Sequence, residues 1–418
     1  MHRAQRLAQI KISVKILIID AGQLGYSAPM SSSNYYLFVP GYYGSSLVEA
    51  KSQKTVWGNP WEIFLGRATL ALPTPGFEKF PWLDLKAHQV IERVRVVQPF
   101  FTVEAYGKIM DVLRGLVTRP SEQVFALAYD WRRDPMLAVS AIDEKIRQIQ
   151  EMDPSAKISL IGHSFGALIS SYYLRYGQQI SKNPTETWEG LQKLQQVVLA
   201  AAPFRGTWAL FRNMRNGLRT GINHRLQSSF AFSTLESSYY LLPPPGEDFL
   251  LDEQLKPKTT DLHNPENWWT RHWGLFQEGL RYRVINPNQV KNHFSELLSK
   301  VQDFHQAVQA PLKNKKPPIP LLYLQGIGTK TLAQGVWTQN QDDQNLCLFY
   351  RKDFKRWLPN QSHQVLLGDG DGTITTQSSR LLPSLEGAQT VVHQTTQEHL
   401  RLLQSPESQK LIRDFLSK

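Results

Sequence analysis

The stretch AKISLIGHSFGALISSYYL, residues 156–174, decides the fold. Within it the pattern G-x-S-x-G spans Gly162 to Gly166 around Ser164, and five letters alone are too short to carry a conclusion. The flanks carry it. KISLIG (157–162) is an apolar run that reads as a buried strand, and GALISSYYLRYG (166–177) continues as a helix that Gly177 stops. A serine between a strand and a helix, in a turn too tight for side chains at its neighbours, is a nucleophile elbow. The turn lifts the hydroxyl above the sheet, and the helix N-terminus behind it favours developing negative charge. An ordinary strand-to-helix turn also favours Gly and Ser, so the partners of Ser164 matter.

Working outward, short apolar runs alternate with amphipathic stretches. YYLFVPG (35–41) is a strand broken by Pro40-Gly41, and VFALAYDWRRDP (124–135) is a strand leading into a helix opened by Pro135. In that helix Leu137, Ile142, Ile146 and Ile149 are expected on one face. QQVVLAAAPF (195–204) is another strand. This alternation predicts an α/β fold, a mostly parallel sheet with helices on both faces. It breaks off over residues 205–315, where no strand is evident, and resumes at IPLLYLQGIG (319–328). Strands are further expected over 364–370 and 388–393, with a closing helix from about 399 to 416. The expected organisation is an extension with a strand (1–30), a first core part (31–204), an inserted cap (205–315) and a second core part (316–418).

A serine alcohol needs a base, and the base a carboxylate. In this fold the chain order is Ser, acid, His. Only His393 and His399 follow the last strand's start; His399, in the loop of TTQEHLRLL, is placed to swing over the sheet. The acid belongs in LLGDGDGTI (366–374), as Asp369 or Asp371, between which spacing does not choose. A calcium loop fails there, because its fifth position is Thr373 and its twelfth is Arg380. The two amides of an oxyanion hole are expected at Phe165 and, in VPGYYGSS (39–46), at Tyr42. The chemistry calls for no cofactor and no metal.

The blocks FVPGYYGSSLVEAK, YDWRRDP, GHSFGAL, AAPFRGT, SSYYLLP, LQGIGTKT, GDGDGTI and EHLRLL occur in an order that resembles the lecithin:cholesterol acyltransferase family, which includes lysosomal phospholipase A and phospholipid:diacylglycerol acyltransferase. The resemblance implies an α/β-hydrolase with an inserted cap that moves a fatty acyl group from a lipid ester, through an acyl-serine, to water or an alcohol. It implies Ser164 as nucleophile, His399 as base, Asp371 (the aspartate before Gly-Thr) as acid, and Tyr42 and Phe165 as oxyanion donors. Asp130 and Trp131 fall in a block that reads as scaffold. The disulfides of the animal members are impossible with Cys347 alone. A soluble-ester hydrolase on the same fold and a non-catalytic lipid-binding protein are the rival readings.

Composition bounds the partners. Net charge is +11 and the pI near 9.5, which favours anionic surfaces. The basic residues are scattered without a reader motif, which argues against nucleic acid. Residues 205–225 hold five arginines and no acid, and Trp208, Phe211, Met214 and Leu218 are spaced for one helical face, either interfacial on anionic lipid or packed inward. Trp268, Trp269 and Trp273 are expected at headgroup depth, lining an acyl pocket, or in the cap core. A single cysteine fits a reducing compartment, and a disulfide-free periplasmic protein would look the same; the expected location is cytoplasmic, peripheral at a membrane. The period-two run Ile10, Ile12, Val14, Ile16, Ile18 reads as a strand rather than an export signal, without excluding export.

Overall fold

The structure, a computed structural model, describes residues 32–418 apart from 78–81, 98–100, 219–221, 282 and 340–344. The strand expected within residues 10–18 lies outside the described residues.

Six strands form the central sheet: β1 (Asn34–Val39), β2 (Gln123–Ala126), β3 (Lys157–His163), β4 (Gln196–Ala200), β5 (Leu321–Gly326) and β6 (Thr390–Thr395). Their order is β6-β5-β4-β3-β1-β2, and every pair is parallel. Both faces are covered, so the inner strands read as unbroken apolar runs rather than alternating ones. Successive residues nonetheless serve different cores. Leu37, Leu160, Val197 and Tyr323 face one side, under α2 (Pro135–Met152) and α3 (Phe165–Tyr176). Phe38, Ile161, Val198 and Leu324 face the other, under α1 (Gly107–Arg114) and α6 (Pro406–Leu416).

Local signals explain the helix starts. Asp134 accepts the Met136 N–H ahead of Pro135, and Ser405 accepts the Ser408 N–H ahead of Pro406. In α2 the expected face is corrected at one position. Leu137 is 60% exposed, because five residues to Ile142 turn a helix well past one face; Ala138 and Val139 take its place beside Ile142, Ile146 and Ile149.

Between β4 and β5 lie α4 (Trp208–Asn216), two short helices, the helix Pro265–Thr270 and the long α5 (Pro287–Gln309). Two strands stand where none was evident, Phe249–Leu251 and Pro257–Thr259. They are three residues each, too short to show a period. They join Val336–Gln339 and Asn345–Leu348 in a four-stranded sheet. The boundary drawn at residue 316 therefore cuts a unit that draws on both sides of it. The strand expected over 364–370 is also different. It is a 3₁₀ turn, His363–Leu366, followed by Leu367–Gly370, which pairs antiparallel with Thr329–Leu332 outside the central sheet.

α4 turns the face considered for lipid inward. Trp208, Phe211 and Met214 are buried, and Phe211 packs edge-on against Trp268 and Trp273 at 5.7 and 5.1 Å. Trp268 and Trp273 are fully buried in the same hydrophobic core that covers the Leu37 face of the sheet, while Trp269 is half-buried with the Lys291 ammonium 3.9 Å from its ring centre. These side chains stabilise the cap and are not available at headgroup depth.

Candidate active site

The order of strands reverses at β1, whose neighbours are β2 and β3. In open parallel sheets such a switch leaves a crevice at the carboxyl ends of the strands, where ligands bind. All the predicted site residues converge on that edge. Gly41 and Tyr42 follow β1, Ser164 follows β3, and His399 follows β6. Asp371 sits over the end of β5: a Cβ on Gly326 would lie 2.5 Å from the Cβ of Asp371.

Ser164 has φ 55° and ψ −124°, a conformation that side chains rarely adopt. Its glycine neighbours permit the turn. A Cβ on Gly166 would lie 2.3 Å from the Pro40 carbonyl oxygen, and one on Gly162 would lie 2.9 Å from Ala167 Cα. A serine at a helix N-cap usually caps the first turn. Here it makes no such bond. Instead the Ser164 hydroxyl lies 2.8 Å from His399 Nε2, 235 residues away in sequence. His399 Nδ1 lies 2.6 Å from Asp371 Oδ2, and the His399 N–H also donates to the Asp371 carbonyl at 2.9 Å.

The other carboxylate oxygen of Asp371 accepts the Thr373 and Ile374 amides at 2.9 and 2.7 Å. Burial acts to raise this carboxyl, but His399 beside it and those amides outweigh burial, so its pKa is below the ordinary value. Asp371 is 1% exposed, against 6% for His399 and 8% for Ser164. A carboxylate so held is a fixed negative charge that orients the ring. Asp369 is exposed and turned elsewhere, accepting the Gly328 N–H at 2.8 Å. His393 instead pairs with Glu407, in the first turn of α6, at 3.0 Å.

Neither the Tyr42 nor the Phe165 N–H donates to a protein group among the described residues. Phe165 opens α3, whose first amides have no intrahelical acceptor. Tyr42 lies in a turn closed by Gly44 N–H to Gly41 O at 2.9 Å, and Gly41 abuts the nucleophile, since its Cβ would lie 2.8 Å from Ser164 Cβ. The Tyr42 phenol is bonded to Ser238 Oγ at 2.9 Å, and burial raises its pKa.

Two further side chains belong to the site's surroundings and were not singled out from sequence. His163 is buried directly before Ser164, and Tyr106, just before α1, lies 3.0 Å from it. A histidine closing an apolar strand was a visible signal for the first. Nothing local marks the second.

A six-stranded parallel sheet with a serine on a strand-turn-helix elbow, hydrogen-bonded in series to a histidine and a buried aspartate, has the α/β-hydrolase fold. The profile of the lecithin:cholesterol acyltransferase family matches residues 74–272, so the chain is similar to that family over this span. The matched span contains Ser164 but neither Asp371 nor His399. A curated relative, the "Lysosomal phospholipase A and acyltransferase" of Canis lupus familiaris, is 24% identical over 295 residues, covering 68% of this chain and 58% of that protein. The chain thus spans little more than half the length of that relative. Among solved structures, a chain of the Tle4–Tli4 complex aligns over 92% of this chain and 98% of its own, with a TM-score of 0.58 and 13% identity; this likeness bears on the fold alone. No helix among the described residues is long and apolar enough to cross a membrane.

Proposed function

We propose that the protein transfers an acyl group from a lipid ester to water or an alcohol through an acyl-serine. The observation that carries the reading is the Ser164–His399–Asp371 series beside two amides without protein acceptors. In this reading His399 Nε2 takes the hydroxyl proton as Ser164 Oγ bonds to the carbonyl carbon. The Tyr42 and Phe165 amides hold the oxyanion, each contributing on the order of 3 kcal/mol in the transition state. The ester C–O bond then breaks, and His399 returns the proton to the departing alcohol. Water or a second alcohol next gives its proton to His399 and its oxygen to the acyl carbon; the bond from that carbon to Ser164 Oγ then breaks, and His399 returns the proton to Oγ. Asp371 orients the ring and stabilises the imidazolium throughout.

The lipid substrate comes from the family match and from the surface. Trp61, Phe64 and Leu65 are exposed on the helix Pro60–Leu65, and Ile222 is 68% exposed beside them, its N–H bonded to Phe64 O at 2.8 Å. Leu218 is exposed in the same segment. Exposed Arg67 and Arg225 lie beside Glu62 and Gly66 of this helix end, and among the described residues neither carries an ion pair. Clustered large apolar side chains edged with positive charge suit an anionic lipid surface. Peripheral contact is proposed at Trp61 and its neighbours rather than at α4, whose apolar face is buried.

Mass spectrometry of products from mixed phospholipid vesicles tests the proposal, with wild type and Ser164→Ala run with and without a long-chain alcohol. Lysolipid and free acid that vanish in the variant support a phospholipase, and an alcohol ester formed at the acid's expense supports an acyltransferase. Turnover confined to short soluble esters, with no rise at an interface, favours the soluble-ester reading. Identical blank traces overturn the lipid reading.

A further inference from the structure

Tyr106 touches none of the three reacting side chains, yet its hydroxyl is at a junction. It is 4% exposed and packs edge-on against Phe38 with ring centres 4.9 Å apart. Its oxygen accepts the Gly41 N–H at 2.9 Å and lies 3.0 Å from His163 Nδ1. A phenol has one proton. The His399 carbonyl facing Nε2 can only accept, so a neutral His163 carries its proton on Nε2 and accepts the Tyr106 proton at Nδ1. Nε2 lies 3.2 Å from the His399 carbonyl oxygen and donates to it. Burial first, and then neighbouring His399, push the His163 imidazole down to about 3, so the neutral ring this pattern requires is the one present.

The chain Gly41 N–H, Tyr106 O–H, His163 Nε2–H, His399 C=O joins the two loops that must meet at Ser164. At one end it fixes a peptide plane. The Pro40 carbonyl accepts the Tyr129 hydroxyl at 2.8 Å, while the N–H of the same peptide is held by Tyr106. The next plane is held through Gly41 O, which accepts from Gly44. Since C=O and N–H point in opposite directions in a trans peptide, the direction of the Tyr42 N–H is thereby set. At the other end the chain grips the backbone of His399, whose ring centre is 5.0 Å from that of His163.

We propose that Tyr106 and His163 are positioning residues for acyl transfer, a buried relay that holds the Tyr42 amide and the His399 loop in register about Ser164. This rests on the triad reading above. Its test is Tyr106→Phe, which keeps the ring and removes the hydroxyl, together with His163→Gln and the double variant, all with melting temperatures measured. Expected is a fall in kcat of about tenfold or more with KM little changed. Affinity for a trifluoromethyl ketone, which forms a tetrahedral oxyanion on the serine, should fall in parallel. Because the two residues act in one chain, the double variant should lose little more than the worse single variant.

Wild-type kcat and ketone affinity in Tyr106→Phe would overturn the relay, as would a loss confined to KM or losses that multiply in the double variant. If Tyr106→Phe does not fold, the same readouts in His163→Gln decide. Ser164→Ala is assayed alongside: full activity there overturns the triad itself, whereas an inert Ser164→Ala with an unimpaired Tyr106→Phe overturns only the relay.

Discussion

At the scale of single residues, Ser164 trades stability for reactivity in two ways. Its φ of 55° costs about 1–3 kcal/mol for a side chain, and its oxygen forgoes the capping bond of α3 in favour of His399. Ser164→Gly is therefore expected to be inactive and to melt higher than both wild type and Ser164→Ala, by calorimetry. A melting point lower than that of Ser164→Ala would show that the elbow is not strained. The elbow was legible in sequence because a strand, two close-approach glycines and a helix all sit within twenty residues. Asp371 over Asp369 was not legible from spacing. That choice depends on which carboxylate lies over Gly326, and the chain makes a long excursion between the two.

At the scale of elements, two helices that both carry large apolar side chains have opposite fates. α4 buries Phe211 among tryptophans, so Phe211→Ala is expected to cost about 3–5 kcal/mol of stability in denaturant titrations. The helix Pro60–Leu65 has no buried residue. The pair Trp61→Ser and Phe64→Ser should leave stability unchanged and weaken co-sedimentation with anionic vesicles; unchanged sedimentation would remove the surface from the proposal. Sequence does not separate these cases, since the same amphipathic pattern serves a core or an interface. Central strands were legible as continuous apolar runs. The small strands at 249–259 and 336–348 were not, because their partners are far along the chain and each is too short to show a period.

At the scale of the whole molecule, buried neutral histidines set the acid limit. Burial, with a histidine neighbour in each case, pushes His163 and His305 down to about 3. Their unfolded value is near 6.5, so the unfolded chain binds more protons between the two values. Stability from these sites is thus full above pH 6.5 and declines as pH falls toward 3, by roughly 1–2 kcal/mol per site at pH 5. His305 lies in α5, packed against His263, away from the proposed chemistry. His305→Phe should flatten the fall of melting temperature between pH 7 and 5, while a slope as steep as wild type would show that this ring is not titrating.

The 235 residues that separate Ser164 from His399 also have a consequence in time. A chain made from its N-terminus completes the elbow and its helix long before residue 399 exists. Domains fold as units during synthesis, but this core cannot close until β6 pairs with β5, and the base enters only after that. A nascent chain halted anywhere before that point carries the serine without its base. Its elbow is then complete while the hydrogen-bonded series that would activate the serine is not.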